Sequence, residues 1–247
     1  MSSCAIMQPS YLPWSGYFNL IASVDKFVLL DDVQFERGSW QNRNKILLNG
    51  KAHLISIPTH RTHLREAILN QIEIFESKKF KMKHWKVLEH AYRKAKYGDE
   101  ALQLLRHFYV DENHENLVNF NGSLIRKFCH ALSIKTTISY ASEMNCNGKR
   151  SEHVAAICKY LNCQTYLSPQ GAANYLEADL FVAKFGINLK FQNFLPAPYT
   201  QYQSTKFVSH LSILDVIANI GVDGARKYIQ GQPTKGLNLY ESKCATF

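Results

Sequence analysis

Two adjacent carboxylates, Asp31 and Asp32, follow the apolar run 27–30. The run predicts a short strand, and the carboxyl ends of parallel strands are where open α/β sheets bind ligands. Carboxylates in that place can orient an amine or a hydroxyl, act as a general base or bind a metal. The alternative is that one aspartate caps the next turn while the other faces water. We expect at least one of the two to be functional, and the sequence does not choose between them.

A polar and aromatic cluster follows the first apolar run of the chain. Gln8 and Pro9 end the strand predicted there, because proline cannot continue a hydrogen-bonded ladder. Tyr11, Trp14 and Tyr17 then follow within one short stretch. Aromatic rings at a turn between a strand and a helix suit stacking on a base or on the apolar face of a sugar. The alternative is a hydrophobic plug beneath the loop.

Amide and guanidinium groups are concentrated in the segment 40–44, which consists of Trp40, Gln41, Asn42, Arg43 and Asn44. The fork of an arginine suits bidentate contact with phosphate or carboxylate, and the asparagines could donate hydrogen bonds to a developing oxyanion. Internal hydrogen bonds that tie the loop down are the alternative. Burying such a cluster without a purpose would be costly.

Weaker candidates lie further along the chain. Ser168, Gln170 and Gly171 follow another predicted strand, where backbone amides could approach an anion. Tyr199 and Gln201 fall in an extended segment, which fits a structural arm closing the sheet as well as a lid.

Histidines and nucleophiles give no catalytic motif. The ten histidines form no HExxH or HxH pattern, which disfavours a transition-metal enzyme. His84, beside Trp85 on a basic helix, is a candidate for substrate contact, with a surface or packing role as the alternative. The absence of GxGxxG, Walker, GxSxG and cysteine–histidine patterns argues against classical dinucleotide binding, P-loop hydrolysis and serine hydrolase chemistry.

The elements that must position these residues are predicted from periodicity. The first unit is a strand, a helix with apolar residues at 17, 20, 21 and 24, and a second strand. Asn49 and Gly50 predict a hairpin between 45–48 and 52–57, because both accept the positive φ of a type I′ turn. Helices at 78–96, 100–108 and 117–132 then predict an inserted helical layer.

Strands and helices alternate again after position 132. We expect a strand at 136–140, a helix capped by Ser151 and running to 161, a strand at 165–168 and a helix at 176–185 ended by Gly186. A strand at 187–191 and a helix at 212–220 stopped by Gly221 follow. The fold class is therefore α/β: a Rossmann-like, mostly parallel sheet with flanking helices, one domain over 1–247, and a helical insertion at about 78–132.

Composition bounds the class of protein. With 247 residues, 46% of them hydrophobic, the chain can bury a full core. No apolar stretch is long enough to cross a bilayer and no signal peptide is indicated, so we expect a cytoplasmic protein. Six cysteines without a CxxC pair argue against a zinc ribbon and a disulfide framework.

The formal charge of +9 calls for an anionic substrate or partner. Much of it lies on one amphipathic helix whose outer face we expect to be cationic, through Lys78, Lys79, Lys81, Lys83, Lys86, Arg93, Lys94 and Lys96. A merely solvated surface is the alternative interpretation.

The N-terminal residues resemble the WbqC-like family of bacterial proteins, which is often associated with gene clusters for O-antigen and other surface polysaccharides. The resemblance is carried by Gln8-Pro9, Tyr11, Pro13, Gly16-Tyr17-Phe18, the block from Asp25 to Val33, Trp40, Asn42-Arg43-Asn44 and Ile57-Pro58. It continues more weakly to Asp215. Many relatives carry a histidine before the Gln-Pro pair, where this chain has Met7.

The resemblance implies a role in lipopolysaccharide biosynthesis, in making a modified sugar or glycan. Our hypothesis for the reaction is transfer of an acyl or aminoacyl group to the amine of a nucleotide-linked amino sugar. Basic residues would hold the diphosphate, aromatic rings would stack on sugar or base, and Asp31 or Asp32 would accept the proton. The partners are then that sugar nucleotide and an acyl donor, and the sequence assigns no cofactor or metal.

Two other functions remain open. The opening turn resembles in outline that of nucleotidylyltransferases and of ligases that form acyl-adenylates, but Trp14 and Tyr17 stand where their phosphate-binding histidines would be. The third possibility is a basic, non-catalytic module for nucleic acid or a glycan-assembly partner. Nucleic acid is the weaker partner, because the polar clusters fall at strand ends, apart from the basic helix.

Overall fold

The computed structural model describes residues 2–60 and 67–231, with no side chains described at 173–175. Within these ranges the chain forms seven strands and eight α-helices. In order they are β1 (Ser3–Met7), α1 (Ser15–Ala22), β2 (Lys26–Leu29), β3 (Arg43–Leu48), β4 (Lys51–Ser56), α2 (Ser77–Tyr92), α3 (Gly98–Val110), α4 (Leu117–Ala131), β5 (Thr137–Tyr140), α5 (Ser151–Tyr160), β6 (Thr165–Ser168), α6 (Ala173–Ala178), α7 (Phe181–Phe185), β7 (Asn188–Phe191) and α8 (Ile213–Gln230).

Five parallel strands form one sheet in the order β5-β2-β1-β6-β7, and β3 pairs with β4 as an antiparallel hairpin. The predicted α/β class with a parallel sheet is therefore confirmed. The chain builds outward from β1 to one edge and then returns to build outward on the other side. This reversal lies between β1 and β6, and such a switch point opens a crevice at the carboxyl ends of the two strands.

Both faces of the sheet are covered, which explains the short apolar runs that predicted it. Successive side chains of a strand point to opposite faces. Ala5 accordingly packs on the side of α1 and α8, whereas Cys4 and Ile6 pack on the side of α5 and α7. The strands are fixed by burial on two sides, so the loops at their carboxyl ends are held in place.

The hairpin forms where Asn49 and Gly50 predicted it. Their φ angles are +51° and +73°, as a type I′ turn requires. A Cβ at position 50 would lie 2.4 Å from the carbonyl oxygen of Gln203, so glycine is needed there for space as well. The hairpin is joined to the helical side of the sheet, because Ser212 donates its backbone N–H to the carbonyl of Lys45 at 2.9 Å.

Helices α2, α3 and α4 lie between the hairpin and β5, as predicted. Asn116 caps α4 by accepting hydrogen bonds from the backbone N–H groups of Val118 and Asn119. The cationic outer face predicted for α2 is correct except at Lys81. That side chain is buried, and its ammonium donates to the carbonyl of Glu112.

Three predicted helix boundaries are wrong. Ser151 begins α5 instead of capping it, and its hydroxyl donates to Asp179 at 2.5 Å. The helix expected at 176–185 is divided, because Leu180 adopts a left-handed conformation between α6 and α7. Gly221 kinks α8 instead of ending it, and the helix resumes where Glu100 accepts the backbone N–H of Val222. Gly186 ends α7 as predicted.

Among the helices described, none has the length and apolar character that crossing a bilayer requires.

Candidate functional site

A cleft of about 440 Å³ opens beside the carboxyl end of β1. It brings together four of the residues singled out in the sequence: Trp14, Tyr17, Trp40 and Asn44. The remaining lining residues are Met7, Ser10, Pro13, Lys45, Ser209 and His210. The cleft therefore combines aromatic rings, one lysine and one histidine at the edge of the sheet where ligands bind in this class of fold.

Hydrogen bonds join the turn after β1 to the loop before β3. The Gln41 side-chain amide donates to Gln8 Oε1 at 2.9 Å, and Tyr11 donates its backbone N–H to the carbonyl of Trp40. Asn121, from α4, donates to the carbonyls of both Pro9 and Gln41 at 3.1 and 2.7 Å. Two segments that are distant in sequence are thus locked into one wall of the cleft.

The two asparagines of the segment 40–44 hold that wall. The Asn44 amide nitrogen donates to the carbonyls of Tyr11 and Leu12 at 2.9 and 2.8 Å. Asn42 accepts the backbone N–H of Gly38 and donates to the carbonyl of Ile57. Both side chains are buried, so the geometry favours the loop-fixing alternative over direct contact with a substrate.

Trp14 covers the N-terminus of α1. The atoms of its ring lie as close as 2.2 Å to the position that a Cβ on Gly16 would occupy, so only glycine allows the ring to lie there. The ring also packs against Phe194 and His210, with centroids 5.6 and 4.7 Å away. The Trp14 ring is therefore held in place on one side of the cleft, where it fills the space over the first turn of α1.

Trp40 and Lys45 form the open side. The Trp40 side chain is 51% exposed, and Lys45 Nζ lies 5.7 Å from the centre of its ring. Arg43 shares a face of β3 with Lys45, because the two are separated by one residue of the strand. The Nε of Arg43 is buried without a hydrogen-bond partner, and no acidic side chain pairs with either cation in the described residues.

His210 and Ser209 are cleft residues that sequence reasoning missed. His210 has a left-handed φ of +57°, and its Nδ1 lies 2.9 Å from Ser209 Oγ. Such backbone conformations in non-glycine residues cluster at functional sites. No motif marks these residues in the sequence, because they reach the cleft only through the folding of the segment after β7.

Tyr199 and Gln201 line a separate hollow of about 390 Å³ within the segment 198–207. Both donate to Asp215 Oδ2, at 2.7 and 2.9 Å. Gln201 also binds both backbone groups of Val208, at 2.7 and 3.0 Å. The position of Ser209 and His210 therefore depends on Gln201, which supports the interpretation of this segment as a structural arm.

Asp215 is the anchor of that arm. Its carboxyl group is fully buried, and burial raises its pKa, although the hydrogen bonds from Tyr199 and Gln201 act in the opposite direction. Asp215 follows the helix cap Ser212 by three residues, but its side chain is used by the arm and not by the cap.

Asp31 caps the turn after β5. Its Oδ1 accepts the backbone N–H of Ser142 at 2.9 Å and its Oδ2 accepts the Ser142 hydroxyl at 2.6 Å. Only 2% of the residue is exposed. Both oxygens are therefore engaged, at the distant turn after β5 and not at the next turn of the chain that the alternative proposed, and Asp31 is not among the residues that line the cleft.

Asp32 pairs with His153, another residue that sequence reasoning missed. Both carboxylate oxygens lie 3.1 Å from His153 Nε2. The hydrogen bond to Asp32 raises the pKa of His153, against the opposing effect of burial. The pair lies where α5 packs beside the end of β2, and it does not line the cleft. Its formation depends on packing between elements, so no local pattern could have predicted it.

Tyr11 and His84 lie in the core and outside the cleft. The Tyr11 hydroxyl is 2.8 Å from His84 Nδ1 and 2.7 Å from the Tyr109 hydroxyl. Burial lowers the pKa of His84 to about 4. His84 is thus a neutral packing histidine between α2 and the β1–α1 turn, which was the alternative to substrate contact.

The residues that follow β6 do not form an enclosed binding site in the described structure. Ser168 is buried and its hydroxyl donates to the carbonyl of Pro169 at 3.1 Å. Gln170 and Gly171 are exposed, and the space around Gly171 is open. Among the described side chains, no three of the usual acidic, histidine or cysteine ligands gather closely enough to hold a metal ion.

The fold and the cleft define a Rossmann-like α/β protein with an aromatic and cationic site at the edge of its sheet. The family model described as "WbqC-like protein family" matches residues 8–227, and the chain belongs to that family. The predicted resemblance is confirmed.

One relative is described as "Uncharacterized protein Rv1507c" of Mycobacterium tuberculosis. It is 29% identical over 230 residues, which cover 90% of this chain and 96% of the relative. No solved structure matches the chain.

Proposed function

We propose that this protein is a cytoplasmic transferase that places an acyl or aminoacyl group on the amine of a nucleotide-linked amino sugar, in the biosynthesis of a surface polysaccharide. The observation that carries the proposal is the cleft at the end of β1, which is lined by two tryptophan rings and by Lys45, a lysine without an acidic partner among the described residues. The volume of about 440 Å³ is in the range of small-molecule sites.

The lining suits both parts of such a substrate. Tryptophan rings stack on the apolar face of a sugar or on a base. Lys45, together with Arg43 on the same face of β3, supplies positive charge for a diphosphate. Neither cation is paired with a carboxylate in the described structure. An anionic ligand would therefore supply the negative charge that these two cations lack.

For the chemical step we propose His210 as the proton acceptor. Its Nδ1 is engaged by Ser209, which leaves Nε2 available at the cleft. The sugar amine attacks the carbonyl carbon of the acyl donor, the new C–N bond forms, the bond to the leaving group breaks, and the amine proton passes to the imidazole. Positioning of the two reactants supplies much of the acceleration, up to about 7–11 kcal/mol in favourable cases. Asp31 and Asp32 stay an alternative to His210 as the proton acceptor. Of these two, Asp32 is the one to test against His210, because it is paired with His153.

A thermal-shift screen of nucleotide-linked amino sugars tests the binding. At roughly 100 times the Kd, ligand binding stabilises the fold by about 2.7 kcal/mol. For a chain of this length that is a rise in Tm of about 5–10 °C. Trp40→Ala and Lys45→Ala should abolish the shift. Tyr160→Ala and Lys83→Ala, which remove another exposed ring and another exposed lysine, should retain it.

An acyl-transfer assay with the best ligand then separates the two candidate bases. His210→Gln should slow turnover by about 10²–10⁴-fold while ligand stabilisation is retained. Asp32→Asn should leave turnover within a few-fold of wild type. If no sugar nucleotide stabilises the protein, the proposed substrate class is wrong; if Asp32→Asn alone abolishes turnover, the twin-acid alternative replaces His210.

The adenylate-forming alternative is weakened by the position of Trp14. In such an enzyme phosphates approach the N-terminus of the first helix, where free N–H groups attract anions. Here the Trp14 ring fills the space over Gly16. Pyrophosphate release that depends on ATP and on an acyl acceptor would restore this alternative.

A further inference from the structure

We propose that the exposed face of α2 docks the protein on an anionic membrane surface. The face consists of cationic side chains on α2 and just beyond its C-terminal end. They are Lys78, Lys79, Lys83, Lys86, Arg93, Lys94 and Lys96, all of them exposed.

The cations lie on one side of the helix. Lys79, Lys86 and Arg93 follow one another at intervals of seven residues, which is close to two full turns. They form a line of about 21 Å along the helix axis, given a rise of 1.5 Å per residue. The residues that turn towards the core, such as Phe80, Trp85, Leu88 and Tyr92, occupy the opposite side.

Little on the helix neutralises this charge. Glu76, just before α2, pairs with Lys79 at 3.0 Å, and Glu89 is the one acidic residue within α2. No ion pair in the described chain involves Lys83, Lys86 or Arg93. In the groove of about 430 Å³ between α2 and α3, Arg106 joins Lys86 and Arg93, and the acidic residues Glu89 and Asp99 line the same groove. The positive charge is therefore concentrated on α2 itself.

An apolar residue of the same surface favours a bilayer over nucleic acid. Met82, which lies among the cations on α2, is 44% exposed and can enter the interface between headgroups and acyl chains. Trp85 and Tyr92 point into the core, so they are not available to stack on unpaired bases. Clusters of four to eight lysines and arginines on an amphipathic helix are the pattern by which proteins recognise anionic lipids.

Co-sedimentation with vesicles tests the proposal on the full-length protein. We expect binding to vesicles of phosphatidylcholine with 30% phosphatidylglycerol, at least tenfold weaker binding to phosphatidylcholine alone, and release by 0.5 M NaCl. The triple variant Lys83→Glu, Lys86→Glu, Arg93→Glu should lose at least tenfold in vesicle affinity. A matched triple variant, Lys135→Glu, Lys184→Glu, Lys190→Glu, changes the net charge equally at exposed positions elsewhere and should bind like wild type.

Equal loss in both triple variants would show a general effect of net charge and would overturn the proposal. So would tight, salt-sensitive binding of a random oligonucleotide through this face in a protein that ignores the anionic vesicles. Unchanged thermal unfolding of each variant confirms that the fold is intact. Thermal stabilisation by nucleotide sugars does not depend on this face, so the outcome is separate from that of the proposed transferase.

Discussion

Single residues divide the sequence candidates into those that face the cleft and those that hold it together. Trp14 and Trp40 face it, whereas the Asn44 amide nitrogen donates both of its hydrogen bonds to backbone carbonyls. Residue type and position at a strand end indicated four of the residues that line the cleft, but they also indicated Asp31 and Asp32, which lie outside it. They could not separate the two roles, because a buried amide that fixes a loop and an amide that binds a substrate look alike in sequence.

The Asp32–His153 pair makes a prediction about pH. The pKa of His153 is raised in the folded state, so the pair stabilises the fold fully below the unfolded value near 6.5 and loses this effect as the pH rises through the raised value. Asp32→Asn should therefore lower the free energy of unfolding by about 1–3 kcal/mol at pH 6 and by less at pH 9.

Urea unfolding at the two pH values measures this difference. The control is Asp111→Asn, which removes an exposed carboxylate paired with His107 at 2.9 Å and should cost less than about 0.5 kcal/mol at pH 6. An effect of Asp32→Asn that grows between pH 6 and pH 9 would contradict the assignment of charge to this pair.

At the scale of elements, α1 and the arm before α8 decide the shape of the cleft. Apolar periodicity predicted α1, and the hairpin followed from Asn49 and Gly50. The arm at 198–208 has neither helical nor alternating periodicity, and Gln201 fixes it through hydrogen bonds to Val208, within the arm, and to Asp215 on α8. Its role therefore became visible only in three dimensions, and with it the contribution of His210.

Gly16 tests the packing of α1. In Gly16→Ala the new Cβ would overlap the Trp14 ring, so the ring must move and the fold should lose about 1–3 kcal/mol of stability. Gly171→Ala adds the same methyl group in open space and should be nearly neutral. Equal stability of the two variants in urea would show that the Trp14 ring is not fixed over α1.

Gln201 tests the arm. Gln201→Ala removes one of the two hydrogen bonds to Asp215 Oδ2, leaving that of Tyr199, and leaves both backbone groups of Val208 without their side-chain partner. The loss should cost about 1–3 kcal/mol and speed amide hydrogen exchange at 199–210. Ser204→Ala, in the same arm, removes only an exposed bond to the carbonyl of Lys206 and serves as the control. Unchanged exchange in Gln201→Ala would mean that the arm is held by other contacts.

At the scale of the molecule, one parallel sheet gathers distant segments at its carboxyl edge. The alternation of strands and helices predicted the fold class, because parallel strands need a crossover between them. The order of the strands was not predicted, since it depends on which apolar faces meet. That order places the reversal between β1 and β6, and the cleft lies beside this point.

The molecule has a formal net charge of +9, and two groups of its cations lie on surfaces of different kinds. Lys45 lines the cleft and Arg43 lies two residues before it on β3, whereas the lysines of α2 form a long exposed face. We assign the first to a small anionic substrate and the second to a lipid surface, because a concave site encloses a ligand and an exposed helix lies flat on a plane.

The three tryptophans provide the most direct test of the cleft. Trp14 and Trp40 line it, whereas Trp85 is buried on the side of α2 that faces the core. Titration with a nucleotide-linked amino sugar, followed by tryptophan fluorescence, should give a saturable change in wild type. The change should persist in Trp85→Phe and be reduced or lost in Trp14→Phe and Trp40→Phe. A saturable change that disappears only in Trp85→Phe, or no change in any of the proteins, would contradict a sugar-nucleotide site at the end of β1.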